Sequence, residues 1–238
     1  RRVPLAPHQL QDKITAQRDL FVLGHVGIPR IDLSKWTLSI GGLVGRSASF
    51  TFDELRRMPK KQIEAFHQCA GYPANPRIAT RRIGNVVWGG VDLNTLLETV
   101  GISPGARFLW SFGVDYGEYD GISSGPYLKD FPLDRLEGRD VLLAYEINGE
   151  PLDAEHGFPL RLVIPGFYGT NSVKWLSRLQ LVDRRADGPF TTQLYNDPVA
   201  LSAANPQGGT RPVWQVAPES VIVSPAPDTE LSAGPVEI

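Results

Sequence analysis

Cys69, in the stretch "FHQCAGYP" (66–73), is the only cysteine in a chain of 238 residues. A lone thiol forms no internal disulfide, so it either packs as a small apolar side chain or does chemistry. Two kinds of chemistry suit it. A thiolate nucleophile needs a base in contact, for which His67 and His156 are the candidates. A soft or polarisable metal centre accepts thiolate ligands. Zinc fits poorly, because a structural site draws on about four Cys or His ligands at short spacing, and the chain holds one Cys and four His. One protein sulfur suffices where a cofactor supplies the other ligands. Gly71 and Pro73 permit the sharp backbone turns that would present this sulfur to a pocket.

The elements that must position the thiol are short, because 24 glycines and 20 prolines interrupt the chain throughout. Strands are expected to dominate. "KWTLSIGGLV" (35–44) alternates bulky with small or polar residues before a glycine pair, the pattern of a half-buried strand entering a turn. In "TFDELRRMP" (51–59) Thr51 caps a short helix, Glu54 completes a capping box and Pro59 ends it. "VDLNTLLETVG" (91–101) places Leu93, Leu96, Leu97 and Val100 on one helical face, with Gly101 as its C-terminal cap. "RDVLLAYEING" (139–149) ends in the Asn-Gly signal of a hairpin whose returning strand is "EPLDAEHGFPLRLVIPG" (150–166). A further buried strand is predicted at "VKWLSRLQLVD" (173–183). From about Arg184 the chain turns polar and rich in turn residues, which predicts a surface crossing rather than core. The last stretch, "VIVSPAPDTELSAGPVEI" (221–238), offers two short strand-like pieces.

Apolar side chains make up 42% of the chain and charged ones 21%, ordinary values for a folded globular protein. The 24 basic and 26 acidic residues nearly cancel, so no global field draws the chain to nucleic acid, and any anion site must be local. No apolar run reaches the roughly 18 residues of a spanning helix, and "RRVPLAPHQL" lacks the apolar centre of a signal peptide. The sequence starts at Arg1, which suits a chain that follows a cleaved leader or begins at an arbitrary boundary.

Taken in order, "FVLGHVGIPRIDLSKWTLSIGGLV", "CAG" after a strand, "VDLNTLLETVGI" and "VLLAYEINGEPLDAEHGFPLRLVIPGFYGTNSVKWLSRLQL" resemble the molybdopterin-binding domain of the sulfite oxidase family. The resemblance runs from about Phe21 to Asp183 and is most specific between Leu142 and Leu179. It implies an α+β, mixed and strand-rich fold with short helices, filling residues 1–200. Residues 201–238 would be a linker and an incomplete C-terminal, dimerisation-like segment.

The resemblance also assigns roles. The cysteine of the family binds molybdenum alongside the two dithiolene sulfurs of one molybdopterin and oxygen ligands, and Cys69 matches it. Cofactor contacts fall on Phe21, Val22, Leu23, Gly24, His25, Asp115, His156, Arg161, Ser172, Val173 and Lys174. Arg161 and Lys174 would meet the phosphate, against the plainer alternative of solvated surface charges. Tyr195 falls where the family keeps an active-site tyrosine that hydrogen-bonds the metal's oxygen. The implied reaction is oxygen-atom transfer with two-electron cycling at molybdenum, on sulfite or another small oxyanion or sulfoxide. A separate electron acceptor such as a cytochrome is expected, because no heme domain is recognisable. Resemblance to bacterial relatives also implies export, with a cytoplasmic location as the alternative.

The pattern departs from the sulfite enzymes in one respect. They carry arginine within the first motif, where this chain has Leu23, and again after the cysteine, where it has Pro73 and Ala74. Sulfite is a dianion whose desolvation needs cationic partners, so Arg77, Arg81 and Arg82 are the candidates to replace them. The loss keeps open an inactive scaffold that retains the fold, and a Cys-dependent hydrolase that needs no metal.

Overall fold

Strand pairing builds the molecule from short elements, as the scattered glycines and prolines predict. The computed structural model describes residues 5–71, 81–201, 207–226 and 228–235. In chain order the elements are β1 (Thr37–Gly42), β2 (Ala48–Thr51), α1 (Phe52–Arg57), β3 (Lys60–Gln68), β4 (Ile83–Asp92), α2 (Leu93–Val100), β5 (Phe108–Gly113), β6 (Gly117–Tyr119), β7 (Ile122–Ser124) and β8 (Leu128–Pro132). They continue with β9 (Leu142–Ile147), β10 (Glu150–Pro151), β11 (Arg161–Val163), β12 (Leu176–Val182), α3 (Pro189–Thr192), β13 (Asn196–Pro198) and β14 (Thr210–Pro212). One sheet runs β2-β1-β12-β5-β8 and a second runs β10-β9-β4-β3, with β11 also paired to β9. The β1–β12 pair is parallel and the other pairs are antiparallel. The fold is therefore mixed and strand-rich with short helices.

The local signals act as their chemistry requires. Thr51 accepts from the Glu54 amide at 3.3 Å while the Glu54 carboxylate accepts from the Thr51 amide at 2.7 Å, a reciprocal cap that starts α1. Asp92 caps α2, accepting from the Asn94 amide at 2.9 Å, and Gly101 closes it at φ +72°. Leu93, Leu96, Leu97 and Val100 are all buried. They join Leu38, Ile40, Leu109, Leu143, Leu179 and Leu181 in a core fed by both sheets. Burying each such side chain stabilises the fold by about 2 kcal/mol. Asn148 and Gly149 turn the hairpin at φ +54° and +84°.

Three expectations are corrected. The strand returning from that hairpin is not continuous over 150–166: β10 holds two residues and β11 three. Between them "LDAEHGFPL" turns, because Asp153 accepts the His156 amide at 2.7 Å and so bends the backbone away from the sheet. The strand expected over 173–183 begins at Leu176, which leaves 173–175 as loop. The polar stretch after Arg184 contributes to the core through Phe190, buried on α3.

The C-terminal segment lies on the domain. β13 pairs with β14 across residue 200, Trp214 stacks on Phe167 with ring centroids 6.3 Å apart, and the Tyr168 amide donates to the Trp214 carbonyl at 2.8 Å. Further along, Gln68 donates to the Glu219 carboxylate at 3.0 Å. The strand-like pieces expected over 221–238 do not form a strand among the described residues, where short turns and bends replace them. Pro225 and Pro235 each remove a backbone donor that a ladder would need.

β4 bulges at Gly89 and Gly90 where it pairs with β9. A Cβ on Gly90 would come within 2.1 Å of the Leu143 carbonyl oxygen, so this backbone approach admits glycine alone. Gly90→Ala is expected to cost about 3 kcal/mol or more, against about 1 kcal/mol for loss of the helix cap in Thr51→Ala. Urea denaturation of the two variants checks both the values and their order.

Candidate active site

β3 carries the thiol to its place. Cys69 follows the last residue of β3, and its amide donates to the Arg82 carbonyl at 3.0 Å. Cys69 is 6% exposed and packs with Leu20, Phe21, Val86 and Trp88, yet it also lines a cavity of about 60 Å³. It is thus buried on one side and faces a partly open cavity on the other.

The same cavity gathers residues that are far apart in sequence. Phe21, Leu23, Gly24 and His25 reach it from the extended segment before β1, and Asp115 from the turn after β5. His156 and Arg161 come from the turn before β11 and its first residue; Ser172, Val173 and Lys174 come from the loop before β12. Tyr195 arrives after α3 with its backbone at φ +58°. For a tyrosine this left-handed conformation carries strain, and such strain collects at functional sites. Val22 alone of the expected contacts does not line the cavity; its side chain is buried among the packing around it.

Arg161 is 2% exposed and ties three segments together. It donates to the carbonyls of His156 and Ser172, each at 3.0 Å, and lies 3.1 Å from Nε2 of His67. Its guanidinium covers the Trp88 ring at 4.8 Å, while its Nε has no hydrogen-bond partner among the described residues. Lys174 donates to the Glu155 carbonyl at 2.8 Å and stands 4.2 Å from the Trp175 ring centre. Burial pushes Arg161 down to about 9; burial and then the Arg161 charge push Lys174 down to about 7. Burial and the same cations hold His67 well below its usual value, and burial with Lys174 and Lys129 brings His25 to about 4. The buried Arg161 and the half-buried Lys174 repel one another across a space that Asp115 and Glu155 also line, and an anion there would relieve that repulsion.

Around His25 the cavity wall is aromatic. Its ring lies 4.8 Å from Tyr119, 5.1 Å from Tyr127 and Phe190, and 5.7 Å from Tyr195. Its Nε2 touches the Tyr195 hydroxyl in a short contact. Tyr127 donates to Thr170, whose carbonyl lies 2.9 Å away. Burial raises Tyr195 above the normal phenol range, so the hydroxyl keeps its proton and remains a donor.

Sequence reasoning missed several lining residues: Tyr127, Glu155, Gly169, Thr170 and Trp175. His67 was weighed only as a base for the thiol, though it stands two residues from Cys69 and so shares a strand face. Gly169 is required because a Cβ there would come within 2.7 Å of the His67 Nε2. Of the candidate substrate cations, Arg77 lies outside the described residues, as do Pro73 and Ala74. Arg81 is buried; Arg82 is half-buried and donates to the Gly71 carbonyl at 3.2 Å, beside the Cys69 turn.

The oxidoreductase molybdopterin binding domain family matches residues 25–190, and the chain belongs to it. Among its relatives is a sulfite oxidase of Arabidopsis thaliana, 35% identical over 198 residues, which cover 74% of this chain and 50% of that protein. Another is an inducible NADH nitrate reductase of Glycine max, 32% identical over 221 residues, covering 85% of this chain and 24% of that one. The crystal structure of the sulfane dehydrogenase SoxCD from Paracoccus pantotrophus superposes with a TM-score of 0.78 and 32% identity, over 93% of this chain and 56% of that one. The chain thus spans about half the length of the sulfite oxidase and about a quarter of the nitrate reductase.

Molybdenum with molybdopterin is the cofactor of this family, and the residues present fit it. Among the described residues no three His, Cys, Asp or Glu side chains converge on a metal position; a pterin dithiolene supplies the ligands that Cys69 alone does not. The buried Arg161 and the half-buried Lys174 match a phosphate. The unpartnered Oδ1 of Asp115 and Nε of Arg161 supply an acceptor and a donor that a polar heterocycle can satisfy.

Asp115 gives a test in the cofactor-free protein. Burial raises its carboxyl from 3.8 to about 6. The folded chain then holds that proton more tightly than the unfolded chain, so stability falls as pH rises through this window. Asp115→Asn removes the loss. It is expected to be more stable than wild type above pH 6, by on the order of 1–2 kcal/mol, with the difference vanishing below the lower end of the window. Urea midpoints on either side of the window read the effect.

Proposed function

We propose that this domain is the catalytic centre of a molybdenum–molybdopterin oxidoreductase of the sulfite oxidase family, acting on a small sulfur-centred or oxyanion substrate. One observation carries the reading: the only thiol, the buried Arg161 and the half-buried Lys174 face the same cavity. When bound, the cofactor supplies two-electron redox chemistry and oxygen-atom transfer. Cys69 holds the metal through its thiolate. Arg161 and Lys174 would neutralise the cofactor's phosphate, whose charge would offset the burial that disfavours theirs. Asp115, His156 and the Ser172–Lys174 backbone orient the pterin, while Phe21 and Trp88 keep that side dry. Tyr195 donates its hydroxyl proton as a hydrogen bond toward the reacting oxygen atoms, and His25 holds that hydroxyl in place.

The relatives' names support sulfur substrates on two counts, sulfite and sulfane. Leu23 lines the cavity where an arginine would bind a sulfite dianion, and Arg82, bonded to the Gly71 carbonyl beside the Cys69 turn, is a candidate to replace it. A separate electron acceptor, such as a cytochrome, completes the cycle. Leu23 is also the observation that favours a second reading, an inactive scaffold.

Protein made in a molybdopterin-competent host is expected to contain about one molybdenum per chain and to release a fluorescent pterin on denaturation. Absence of both favours the scaffold. Cys69→Ser is expected to lower turnover of the loaded protein by more than roughly 100-fold. Arg161→Gln and Lys174→Gln are each expected to weaken pterin retention by roughly 10-fold or more, read by pterin fluorescence per chain.

A further inference from the structure

Lys129 is a buried base that the mechanism above leaves without a task. It lies on β8 with 2% of its surface exposed, and its one hydrogen bond among the described residues goes to the Phe190 carbonyl at 2.7 Å. The adjacent Asp130 alternates to the other face of the strand, where Arg185 takes its carboxylate in two hydrogen bonds of 2.7 and 3.1 Å. Lys129 therefore carries its charge inward with no carboxylate hydrogen-bonded to it among the described residues, and feels Asp130 only from a distance. Burying an ammonium in that way is costly, and such groups concentrate at functional sites.

Its Nζ stands 5.1 Å from the centre of the Tyr195 ring, within cation–π range, and the hydroxyl on that ring touches His25. The charged and titratable groups around the trio are few. His25 meets Tyr119, Tyr127 and Tyr195 and feels Lys174 and Lys129. Tyr195 feels Tyr119, Cys69 and Arg82, and Lys129 feels Asp130 and Arg185.

We propose that Lys129 is a positioning residue: its ammonium, seated on the Tyr195 ring and anchored to Phe190, fixes the orientation and the electrostatic bias of the Tyr195–His25 pair. The inference rests on the proposed function, since the pair has a task only where a substrate is turned over beside Cys69. Burial lowers Lys129 to about 7, and burial, Lys174 and Lys129 in that order lower His25 to about 4. Between those values the amine is charged and the imidazole neutral. A positive charge against the phenol ring strengthens the hydroxyl as a hydrogen-bond donor and opposes protonation of the histidine behind it.

Lys129→Met tests this. The two side chains have similar length, and removal of an uncompensated buried charge does not endanger folding. The first readout needs no turnover: the His25 titration in the full chain as purified, followed by NMR. Its midpoint is expected to rise in Lys129→Met, and an unchanged midpoint overturns the proposal. The second uses sulfite as the probe substrate and ferricyanide as the acceptor. Lys129→Met is expected to lower kcat roughly 10-fold with KM little changed, and to cost nothing more in a Tyr195→Phe background. An equal loss in both backgrounds means that Lys129 does not act through Tyr195, and sinks the proposal. A preparation loaded with cofactor that turns over neither sulfite nor a sulfoxide defeats the proposed function instead, and the His25 titration then decides this inference alone.

Discussion

A buried guanidinium whose hydrogen bonds among the described residues all go to neutral groups holds the candidate site together. Arg161 binds the turn that carries His156, the loop that carries Ser172 and the strand face that carries His67, while its flat side lies on Trp88. All its hydrogen-bond partners among the described residues are neutral, and Asp153 is the carboxylate whose charge it feels from a distance. The planar fork suits this task in a way that a lysine ammonium would not, because three separated acceptors must be reached from one rigid plane.

The second constraint is desolvation. Lys174, His25, His67 and Asp115 are all displaced from their ordinary titration ranges, with burial as the first cause in each case. The displacement is toward the neutral form for each of them. An anionic group entering the cavity opposes the shift for the bases and deepens it for Asp115. Binding and protonation are thereby linked at this site, and the cavity's affinity for an anion depends on pH through its own walls.

Much of the architecture was legible in the sequence because it follows from local rules. The Thr51–Glu54 capping box, the apolar face of 93–100 and the Asn148-Gly149 turn are written in residues close together in the chain. The candidate site was legible through a different route, the ordered resemblance to a known family, which pointed to the residues that line the cavity apart from Val22. What escaped was set by tertiary contact. Tyr127, Thr170 and Trp175 approach the cavity from elements whose spacing carries no signal. Phe190 looked like part of a polar surface stretch, yet it is buried beside His25. The turn at "LDAEHGFPL" was read as strand because its apolar residues mask the Asp153 side chain that bends it.

The loop 166–174 forms one wall of the cavity, and its outer side is covered by the segment after β14. Trp214 lies on Phe167, the Tyr168 amide is bonded to the Trp214 carbonyl and Asn171 donates to the Val213 carbonyl. Backbone groups that would otherwise face water are already paired on that side. The wall presented to a ligand is therefore preorganised by the chain's own return, and the entropy of ordering it is spent in folding rather than at the moment of binding.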